Sequence, residues 1–143
     1  MNFNCEHCCC IEKLNIKVNS PIVKTTGSVG IDFYSPQSIN IPSQQSTVIF
    51  LNLKIKPPKG YFLQLKARSS LSIRNILVLG GTIDSDYSED IGVILFNASQ
   101  CSYQVTEGDR ICQGIFLKYL VPEILIVNNI EKTNRGGFGS TGK

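Results

Sequence analysis

The stretch Gly80-Gly-Thr-Ile-Asp-Ser-Asp-Tyr-Ser-Glu-Asp-Ile-Gly-Val-Ile-Leu-Phe-Asn97 combines the features that decide the fold. It opens on a pair of glycines, which mark a turn, and it ends in the apolar, β-branched and aromatic run Ile91–Asn97. A short run of this composition beside turn residues predicts a β-strand. Between the two, Asp84 and Asp86 supply carboxylates. The stretch therefore predicts a strand that follows a turn with candidate chemistry in it.

Runs of the same kind recur along the chain, separated by turn residues such as Pro57-Pro58-Lys59-Gly60. No segment sustains apolar residues at i, i+3, i+4 and i+7 over three turns, and the best helix candidate is the short piece Ser69–Asn75. Short strands joined by tight turns favour an all-β domain, a jelly-roll-like β-barrel or sandwich. We expect strands at Leu14–Val18, Thr47–Ile55, Tyr61–Ala67, Ile91–Asn97, Ile111–Leu117 and Ile124–Val127.

Length and charge exclude several classes of protein. At 143 residues and 42% hydrophobic, the chain is long enough for one domain with a core. The net charge of +3 comes from basic residues spread along the chain, so we predict no nucleic-acid-binding surface. No run of 18 apolar residues is present, and we predict no membrane span. The first residues lack the basic and apolar regions of a signal peptide, which favours an intracellular protein, cytoplasmic or nuclear and not secreted.

Four of the six cysteines, Cys5, Cys8, Cys9 and Cys10, crowd into the first ten residues. Cys5 and Cys8 with His7 are ligand types that zinc accepts, yet no second Cys or His pair follows at the spacing of a zinc finger. In a reducing compartment free thiols are expected. We therefore interpret residues 1–13 as a flexible, cysteine-rich tail, with a zinc site as the alternative.

Acid–base chemistry in the body of the chain has to come from carboxylates. His7 is the only histidine, so a Ser-His-Asp or Cys-His site would have no base there. The informative carboxylates are Asp32, Asp84, Asp86 and Asp109, which lie beside glycines or aromatic residues at predicted turns or strand ends. A carboxylate can take a proton from water or hold Mg²⁺ directly or through water. The alternative role for each is to cap backbone N–H groups of a turn.

Two segments carry groups suited to phosphate. Arg68-Ser69-Ser70 offers a guanidinium and two hydroxyls at the end of a predicted strand. Residues 136–142 are rich in glycine and include Ser140 and Thr141, so their N–H and hydroxyl groups could wrap phosphate oxygens. We interpret residues 131–143 as a mobile glycine-rich arm of the kind that closes over ligands, and residues 14–130 as the β domain.

Taken in order, these elements resemble the five motifs of the homotrimeric dUTPases, and the resemblance spans almost the whole body of the chain. Five matches in the order of the family form a far more specific signal than any one of them. The motifs are Gly30-Ile-Asp32-Phe-Tyr-Ser35, Ala67-Arg68-Ser69-Ser70-Leu71, Gly81-Thr-Ile-Asp84-Ser-Asp-Tyr87 with Ile91-Gly92-Val93, Gly108-Asp-Arg-Ile-Cys-Gln113 and Arg135-Gly-Gly-Phe138-Gly-Ser140-Thr141-Gly142.

The resemblance implies a Mg²⁺-dependent hydrolysis of dUTP to dUMP and pyrophosphate, which lowers dUTP and supplies dUMP for dTMP synthesis. Asp84 would be the general base that activates water for attack on the α-phosphorus, and Asp32 would act on the metal through water. In this family three chains build three sites, and the C-terminal arm is exchanged between subunits. A single chain is then expected to be inactive.

The resemblance also assigns the substrate contacts. The phosphate chain would lie on the second and fourth motifs, and uracil in a hairpin running from Gly81 to Gly92, where backbone groups read the base and Tyr87 excludes a 2′-OH. Phe138 of the arm would stack on uracil, with Ser140 and Thr141 on the γ-phosphate. The implied substrate-binding residues are Arg68, Ser69, Ser70, Gly81, Ile83, Tyr87, Gly92, Gln113, Arg135, Phe138, Gly139, Ser140 and Thr141.

The chain departs from the family pattern in three motifs. Ser70 replaces a glycine in the second, and Ser88-Glu89 replaces Arg-Gly after Tyr87 in the third. In the fifth, the step from Arg135 to Phe138 is three positions where the family commonly has five. An extra carboxylate at Glu89 predicts weaker binding of an anionic substrate, unless the side chain points to solvent.

Two other functions stay open at this stage. Some viral proteins that resemble dUTPases bind protein partners, so a dUTPase-derived interaction module with weak or no catalysis is the main alternative, and a viral source fits the compact chain. Such a module would not need Asp84, which is present. The related dCTP deaminases are expected to have a longer chain and a catalytic glutamate, which makes them the weaker alternative.

Overall fold

The structure is a computed structural model that describes residues 17–18, 25–134 and 136–137. Within these residues the regular structure is almost entirely β, which confirms the predicted all-β class. The elements are β1 (Lys17–Val18), β2 (Ile31–Tyr34), β3 (Ile39–Ile41), β4 (Ser46–Phe50), β5 (Ile55–Lys56), β6 (Tyr61–Lys66), α1 (Ser69–Ser72), β7 (Ile76–Leu79), β8 (Thr82–Ile83), β9 (Gly92–Asn97), β10 (Tyr103–Val105) and β11 (Arg110–Lys118).

The strands form two main sheets and two short ladders, all antiparallel. One sheet has four strands in the order β2-β11-β6-β8, and the other has three in the order β4-β9-β7. The ladders pair β1 with β5 and β10 with β3. Because neighbours in a sheet are seldom neighbours in sequence, the chain crosses repeatedly between sheets, as in a jelly roll.

A single apolar core joins the two sheets. Burial alternates along β2 and β9, which is the expected pattern for strands that have one face inward. The four-stranded sheet contributes Ile31, Phe33, Leu63, Leu65, Ile111 and Cys112, and the three-stranded sheet contributes Ile49, Ile76, Val93 and Leu95.

A glycine permits tight packing at the centre of the larger sheet. Gly114 lies on β11 between its partners Ile31 of β2 and Leu65 of β6. A Cβ atom there would stand 2.6 Å from Phe33 Cε2 and 2.8 Å from Leu63 Cδ1, so any side chain would push these two residues out of the core.

The long strand predicted at Thr47–Ile55 is interrupted. The chain forms β4 and β5, and residues 51–54 lie between them outside either ladder. Asn52 has a φ of +54°, a left-handed conformation that asparagine tolerates better than most residues. Leu51 and Leu53 on either side of it stay buried, so the apolar pattern continues through a local kink.

The strand predicted at Ile124–Val127 is wrong for the single chain. Residues 119–134 form no strand, and the exposed fraction of Ile126 reaches 97%. A strand requires a partner edge, and none of the described strands pairs with this stretch. The stretch is apolar, as the sequence shows, but its side chains are not buried within this chain.

The other predicted elements are close to their expected positions. The strands predicted at Tyr61–Ala67, Ile91–Asn97 and Ile111–Leu117 match β6, β9 and β11, and the helix predicted at Ser69–Asn75 is the shorter α1. Of the strand predicted at Leu14–Val18 the structure describes only β1. The cysteine-rich tail, residues 1–13, lies outside the described residues, and the boundaries of tail, domain and arm remain predictions. Among the described residues, no helix has the length and apolarity needed to span a membrane.

Candidate active site

The first group of site residues lies where β2, β11 and β6 run side by side. Gln113 of β11 pairs with Asp32 of β2 and with Lys66 of β6. Since β6 ends at Lys66 and α1 begins at Ser69, Arg68 is brought beside the same strands. We call the resulting cavity of about 480 Å³ the polar cleft. It is lined by Thr25, Ser28, Gly30, Asp32, Arg68, Ser69, Ser70, Arg110 and Gln113.

Asp32 holds two guanidinium groups at the floor of the polar cleft. Arg68 donates from Nε to Asp32 Oδ1 at 3.1 Å, and Arg110 donates from Nη1 to Asp32 Oδ2 at 3.4 Å. The three side chains are between 25% and 50% exposed, so water reaches the pairs. Their main effect is therefore to fix where the guanidiniums point, with little contribution to stability. Arg110 is missing from the sequence-predicted site, although it lies within the fourth motif.

A glycine leaves room for Gln113. A Cβ atom on Gly30 would lie 2.5 Å from Gln113 Oε1 and 3.2 Å from its Cβ, so a larger residue would displace the amide from its place in the cleft. Gln113 Nε2 donates to the carbonyl of Ala67 at 3.4 Å. These contacts link the first, second and fourth motifs around one side chain.

A second group of site residues surrounds Asp84. Asp84 follows β8 in a turn in which its carbonyl accepts the N–H of Tyr87 at 3.1 Å. Its side chain is exposed, and its carboxylate has no hydrogen bond or ion pair with any described residue. We call the adjoining cavity, of about 480 Å³, the Asp84 cavity. It is lined by Phe62, Thr82, Asp84, Ser85, Asp86 and Tyr119.

Tyr119 braces this turn from the end of β11. Its hydroxyl lies 3.1 Å from Ser85 Oγ, and its backbone N–H donates to the carbonyl of Gly60 at 3.1 Å. Its ring packs edge-on against Phe62, with ring centroids 6.3 Å apart. Sequence reasoning missed Tyr119, because nothing near it in sequence marks it as part of a site.

The segment between β8 and β9 is a crossover between sheets, which differs from the expected hairpin. β8 pairs with β6, whereas β9 pairs with β4 and β7, so the two strands are not partners. We call residues 84–91 the crossover loop. Gly81 introduces it with a φ of +88°, and a Cβ there would lie 2.9 Å from Leu65 Cβ, so both backbone and space demand glycine.

Asp90 fastens the far end of the crossover loop. Its Oδ1 accepts the N–H of Leu53 at 2.6 Å, and its Oδ2 accepts the N–H of Asn52 at 3.2 Å. Its carbonyl accepts the hydroxyl of Tyr87 at 2.8 Å. One residue therefore ties the loop to the kink after β4 and fixes the ring of the half-buried Tyr87.

Glu89, the extra carboxylate, points towards solvent. Its side chain is 75% exposed, and Oε2 lies 3.7 Å from Lys54 Nζ. Two other sequence-predicted residues flank the loop without entering either cavity. Ile83 is half-buried against the core, and Gly92 lies against Val48 and Phe50.

Two remaining carboxylates and one thiol complete the electrostatics. Asp86 lines the Asp84 cavity, whereas Asp109 Oδ2 accepts the N–H of Thr106 at 2.8 Å and so acts as a turn cap. Burial, with a smaller contribution from Asp32, raises the pKa of the Cys112 thiol to about 12, so it stays neutral beside the cleft. Among the described residues there is no group of three or more His, Cys, Asp or Glu side chains that could hold a metal by themselves.

The family model described as dUTPase matches residues 17–142 of the chain. The chain belongs to the dUTPase family. A deoxyuridine 5'-triphosphate nucleotidohydrolase of Vaccinia virus (strain Copenhagen) is 39% identical over 128 residues, which cover 88% of this chain and 87% of that protein. The viral relative thus shares nearly the whole domain.

Solved structures of dUTPases share the fold. A mutant dUTPase of Staphylococcus bacteriophage 80alpha with dUpNHpp matches with a TM-score of 0.80 and 21% identity over 90% of this chain and 98% of that one. A mutant dUTPase from phage phi11 of S. aureus, described with the coordination of a structural Mg(II) ion, matches with a TM-score of 0.74 and 20% identity over 82% and 99%. The jelly-roll-like fold predicted from the sequence is confirmed.

In this dUTPase chain the two groups of site residues lie apart. β8 pairs with β6 so that Ile83 faces Leu63, which puts Asp84 near Phe62. Arg68 follows six residues later, which at the rise of an extended chain is a separation of about 20 Å. The polar cleft and the Asp84 cavity have no lining residue in common. Arg135 and Phe138–Thr141 of the fifth motif lie outside the described residues.

Proposed function

We propose that this chain hydrolyses dUTP to dUMP and pyrophosphate, and that Asp84 activates the attacking water. The observation that carries the proposal is the state of Asp84. The aspartate of the third dUTPase motif stands exposed in a cavity, and no described residue occupies its carboxylate. A carboxylate that serves only as a turn cap would have a backbone N–H partner, as Asp109 does.

The chemistry at Asp84 is general-base catalysis. Its free carboxylate oxygens accept a hydrogen bond from water and take its proton as the oxygen attacks the α-phosphorus. The bond from the α-phosphorus to the bridging oxygen breaks, and pyrophosphate leaves with dUMP behind. The brace from Tyr119 and the turn closed by Tyr87 hold Asp84 in place during this step.

The polar cleft binds the triphosphate. Arg68, Ser69 and Gln113 supply a guanidinium, a hydroxyl and an amide at the strand ends, and Ser70 adds a second hydroxyl where the family has glycine. Asp32 orients Arg68 through Nε, which leaves both terminal nitrogens of the guanidinium for phosphate oxygens. In phosphoryl transfer, positioning and charge neutralisation carry most of the catalysis.

Mg²⁺ fits the polar cleft as an ion held mainly by the substrate. Both oxygens of Asp32 accept hydrogen bonds from arginine, yet each keeps a lone pair that can accept one from a metal-bound water. Mg²⁺ usually keeps several waters and binds through few carboxylates together with substrate phosphates. Bound in this way, it would neutralise charge on the phosphate oxygens. A dUTPase of phage phi11 is described with a structural Mg(II) ion, which is consistent with the choice of this metal here.

The nucleoside is recognised at the crossover loop. Backbone groups of Gly81, Ile83 and Gly92 flank the place where uracil would be read. Tyr87 packs against deoxyribose, and its ring is fixed because its hydroxyl donates to the carbonyl of Asp90. A ring that cannot retreat leaves no room for a 2′-OH, which selects dUTP over UTP.

The site is completed by a neighbouring copy of the chain. One triphosphate cannot bridge cavities about 20 Å apart along β6 and still be attacked by water at Asp84. The proposed assembly is a homotrimer in which Asp84 of one subunit meets the polar cleft of another. The arm, with Arg135, Phe138, Gly139, Ser140 and Thr141, closes over uracil and the γ-phosphate from a neighbour.

Exposed apolar surface supports this assembly. The outward face of β4, β9 and β7 presents Val48, Phe50, Leu77, Leu79 and Ile94, each between 36% and 56% exposed. Isolated apolar residues are normal on a surface, but five on one sheet face indicate an interface. The exposed segment 120–130 is equally apolar, and pairing with a neighbour would form the strand that is absent from the single chain. The proposed location is the cytoplasm or nucleus, where free deoxynucleotides occur.

The test of the reaction is pyrophosphate release from dUTP with Mg²⁺, with dCTP, dTTP and UTP in parallel. We expect turnover of dUTP alone, and a loss of about 10²–10⁴-fold in kcat for Asp84→Asn. Asp86→Asn removes a carboxylate from the same cavity and is the matched control, with a change of a few-fold at most. Turnover by Asp84→Asn at the wild-type rate would remove Asp84 from the mechanism.

The test of the shared site is complementation. Asp84→Asn and Arg68→Gln subunits, each inactive alone, are unfolded together, refolded and assayed. In mixed trimers some sites receive intact Asp84 from one subunit and intact Arg68 from another, so roughly a quarter of wild-type activity should return. If the mixture stays inactive while trimers form, each site is built from a single chain.

A further inference from the structure

Three of the four arginines in the chain converge on one cavity beside the polar cleft. Arg68, Arg74 and Arg110 line a space of about 300 Å³, which we call the arginine cavity. No lysine among the described residues lines it. Arginine presents a planar fork of N–H donors that matches the oxygens of phosphate, whereas lysine is a point charge. The choice of residue therefore indicates recognition of an oxyanion.

The arginine cavity adjoins the polar cleft but is a separate space. Arg68, Ser70 and Arg110 line both. Asp32 and Gln113 line the polar cleft but not the arginine cavity. The arginine cavity has other residues in their place. The residues found only in the arginine cavity are Leu71, Arg74, Tyr103, Val105, Gly108, Asp109 and Ile111.

Most of the donors on these arginines have no partner among the described residues. Asp32 takes one nitrogen from Arg68 and one from Arg110. The remaining nitrogens of both, and the whole guanidinium of Arg74, have no hydrogen bond or ion pair with a described residue. The one carboxylate in the lining belongs to Asp109, and its Oδ2 already accepts the N–H of Thr106. With Asp32, which pairs with Arg68 and Arg110, the three guanidiniums are matched by two carboxylates, so a net positive charge remains.

We propose that the arginine cavity is a second oxyanion site, and that its ligand is inorganic pyrophosphate. The preference for a phosphate-type oxyanion follows from the arginines. Only the choice of pyrophosphate rests on the proposed function, which releases pyrophosphate at the adjoining polar cleft. Arg68 and Arg110 line both spaces and each has nitrogens beyond the one that pairs with Asp32, so pyrophosphate in the arginine cavity weakens their hold on the bound substrate without displacing it. It then acts as a product inhibitor without entering the polar cleft.

Arg74 separates the two spaces experimentally, because it lines only the arginine cavity. Its side chain is exposed at the end of α1, so Arg74→Gln is expected to fold, and Arg74→Lys keeps the charge but loses the fork. Lys56→Gln is the matched control, since it removes one exposed positive charge on β5 outside this cavity. Melting curves confirm that each variant is folded.

The experiment fills the substrate site with dUpNHpp and then titrates pyrophosphate by calorimetry. We expect binding to the filled wild type and to Lys56→Gln, at least tenfold weaker binding to Arg74→Gln, and an intermediate value for Arg74→Lys. A different result is that the filled wild type binds no pyrophosphate while Arg74→Gln lowers the affinity for dUpNHpp. In that case the oxyanion in the cavity is the triphosphate of the nucleotide, and the pyrophosphate site is refuted. Equal binding of both ligands by Arg74→Gln and wild type overturns the proposal.

The proposed reaction can fail independently of this site. A protein that neither binds dUpNHpp nor turns over dUTP refutes the reaction. Pyrophosphate titrated into the unliganded wild type and Arg74→Gln still tests the arginine cavity in that case, because an anion site does not require turnover. A difference between the two supports the site, and identical titrations refute it.

Discussion

The crossover loop and the polar cleft are held in place by different forces. The loop is fastened through backbone groups, with the carboxylate of Asp90 on two N–H groups and the hydroxyl of Tyr87 on a carbonyl. The cleft is arranged by ion pairs between Asp32 and two arginines that water reaches. Hydrogen bonds to backbone groups fix the conformation of the loop. Exposed ion pairs only orient the guanidinium groups, and they weaken as salt is added. The loop proposed to recognise the nucleoside is thus rigid, and the cleft proposed to bind the triphosphate is adjustable.

The largest effect should come from detaching the loop. Asp90→Ala removes the acceptor of the Leu53 and Asn52 N–H groups, one of which is at 2.6 Å. We expect the free energy of unfolding to fall by about 1–3 kcal/mol, since hydrogen bonds to charged groups are lost in a half-buried place. The carbonyl that accepts the Tyr87 hydroxyl remains in this variant, but it is no longer anchored to Asn52 and Leu53, so the ring of Tyr87 is fixed less firmly. We therefore expect kcat/KM for dUTP to fall about tenfold or more, and kcat/KM for UTP to fall less. Urea unfolding and the dUTP to UTP ratio of kcat/KM measure the two effects.

Asp86→Ala is the control for Asp90→Ala. It removes a carboxylate from the same loop, and Asp86 has no hydrogen bond or ion pair with a described residue. It should leave both the unfolding midpoint and the dUTP to UTP ratio near wild type. An Asp90→Ala protein that behaves in the same way would mean that the loop is fixed by something other than this carboxylate.

An intermediate effect is expected in the polar cleft. Asp32→Asn leaves Arg68 and Arg110 without their shared carboxylate, so the guanidinium of Arg68 is no longer aimed. We expect kcat to fall about tenfold, which corresponds to the loss of one charge-assisted hydrogen bond between Arg68 and the substrate. The free energy of unfolding should change by less than about 1 kcal/mol. Raising the salt from about 0.1 to 1 M should lower kcat/KM of the wild type towards that of the variant. Steady-state kinetics and urea unfolding at both salt concentrations measure this.

Glu107→Gln is the matched control, since it removes an exposed carboxylate from the surface turn before β11. Its kinetics should follow the wild type at both salt concentrations. If Asp32→Asn instead loses several kcal/mol of stability with kcat intact, the ion pairs serve the fold, and the contrast between cleft and loop does not hold.

Sequence reasoning predicted the parts that depend on neighbours in the chain. The strands β6, β9 and β11 follow from runs of β-branched and aromatic residues, and the turn at Asp84 follows from its glycines and carboxylates. The kink at Asn52 was missed, because an apolar run does not reveal a left-handed residue within it. Short strands such as β2 and β10 were missed because three or four residues carry little periodicity.

The positioning contacts of the site could not be predicted for a further reason. Tyr119 reaches Ser85 across 34 residues of sequence, Asp90 reaches Leu53 across 37, and Arg110 reaches Asp32 across 78. Such contacts arise only when sheets pack, so no local pattern announces them. The motifs predict candidate residues for the chemistry, whereas the fold decides which residues hold them in place.

The smallest effect should come from the surface of the crossover loop, where charge is present but does not hold the shape. Ser88→Arg with Glu89→Gly replaces a carboxylate by a guanidinium near an anionic substrate. The pair between Glu89 and Lys54 is 3.7 Å long and mostly exposed, so breaking it should cost less than about 1 kcal/mol. We expect KM for dUTP to fall by about two- to fivefold, with kcat unchanged, since exposed charges act weakly through screened solvent.

Ser88→Gln with Glu89→Gly separates charge from flexibility in that experiment. It has the same glycine and a side chain of similar length, but it lacks the guanidinium, so it should give a smaller decrease in KM. Because the gain is electrostatic, it should also fade as salt approaches 1 M, where screening acts within about 3 Å. A decrease in KM that persists at high salt would point to a changed loop shape, and the loop surface would then share in the rigidity that Asp90 gives to its end. No decrease at low salt would show that Glu89, turned towards Lys54, never opposed the substrate.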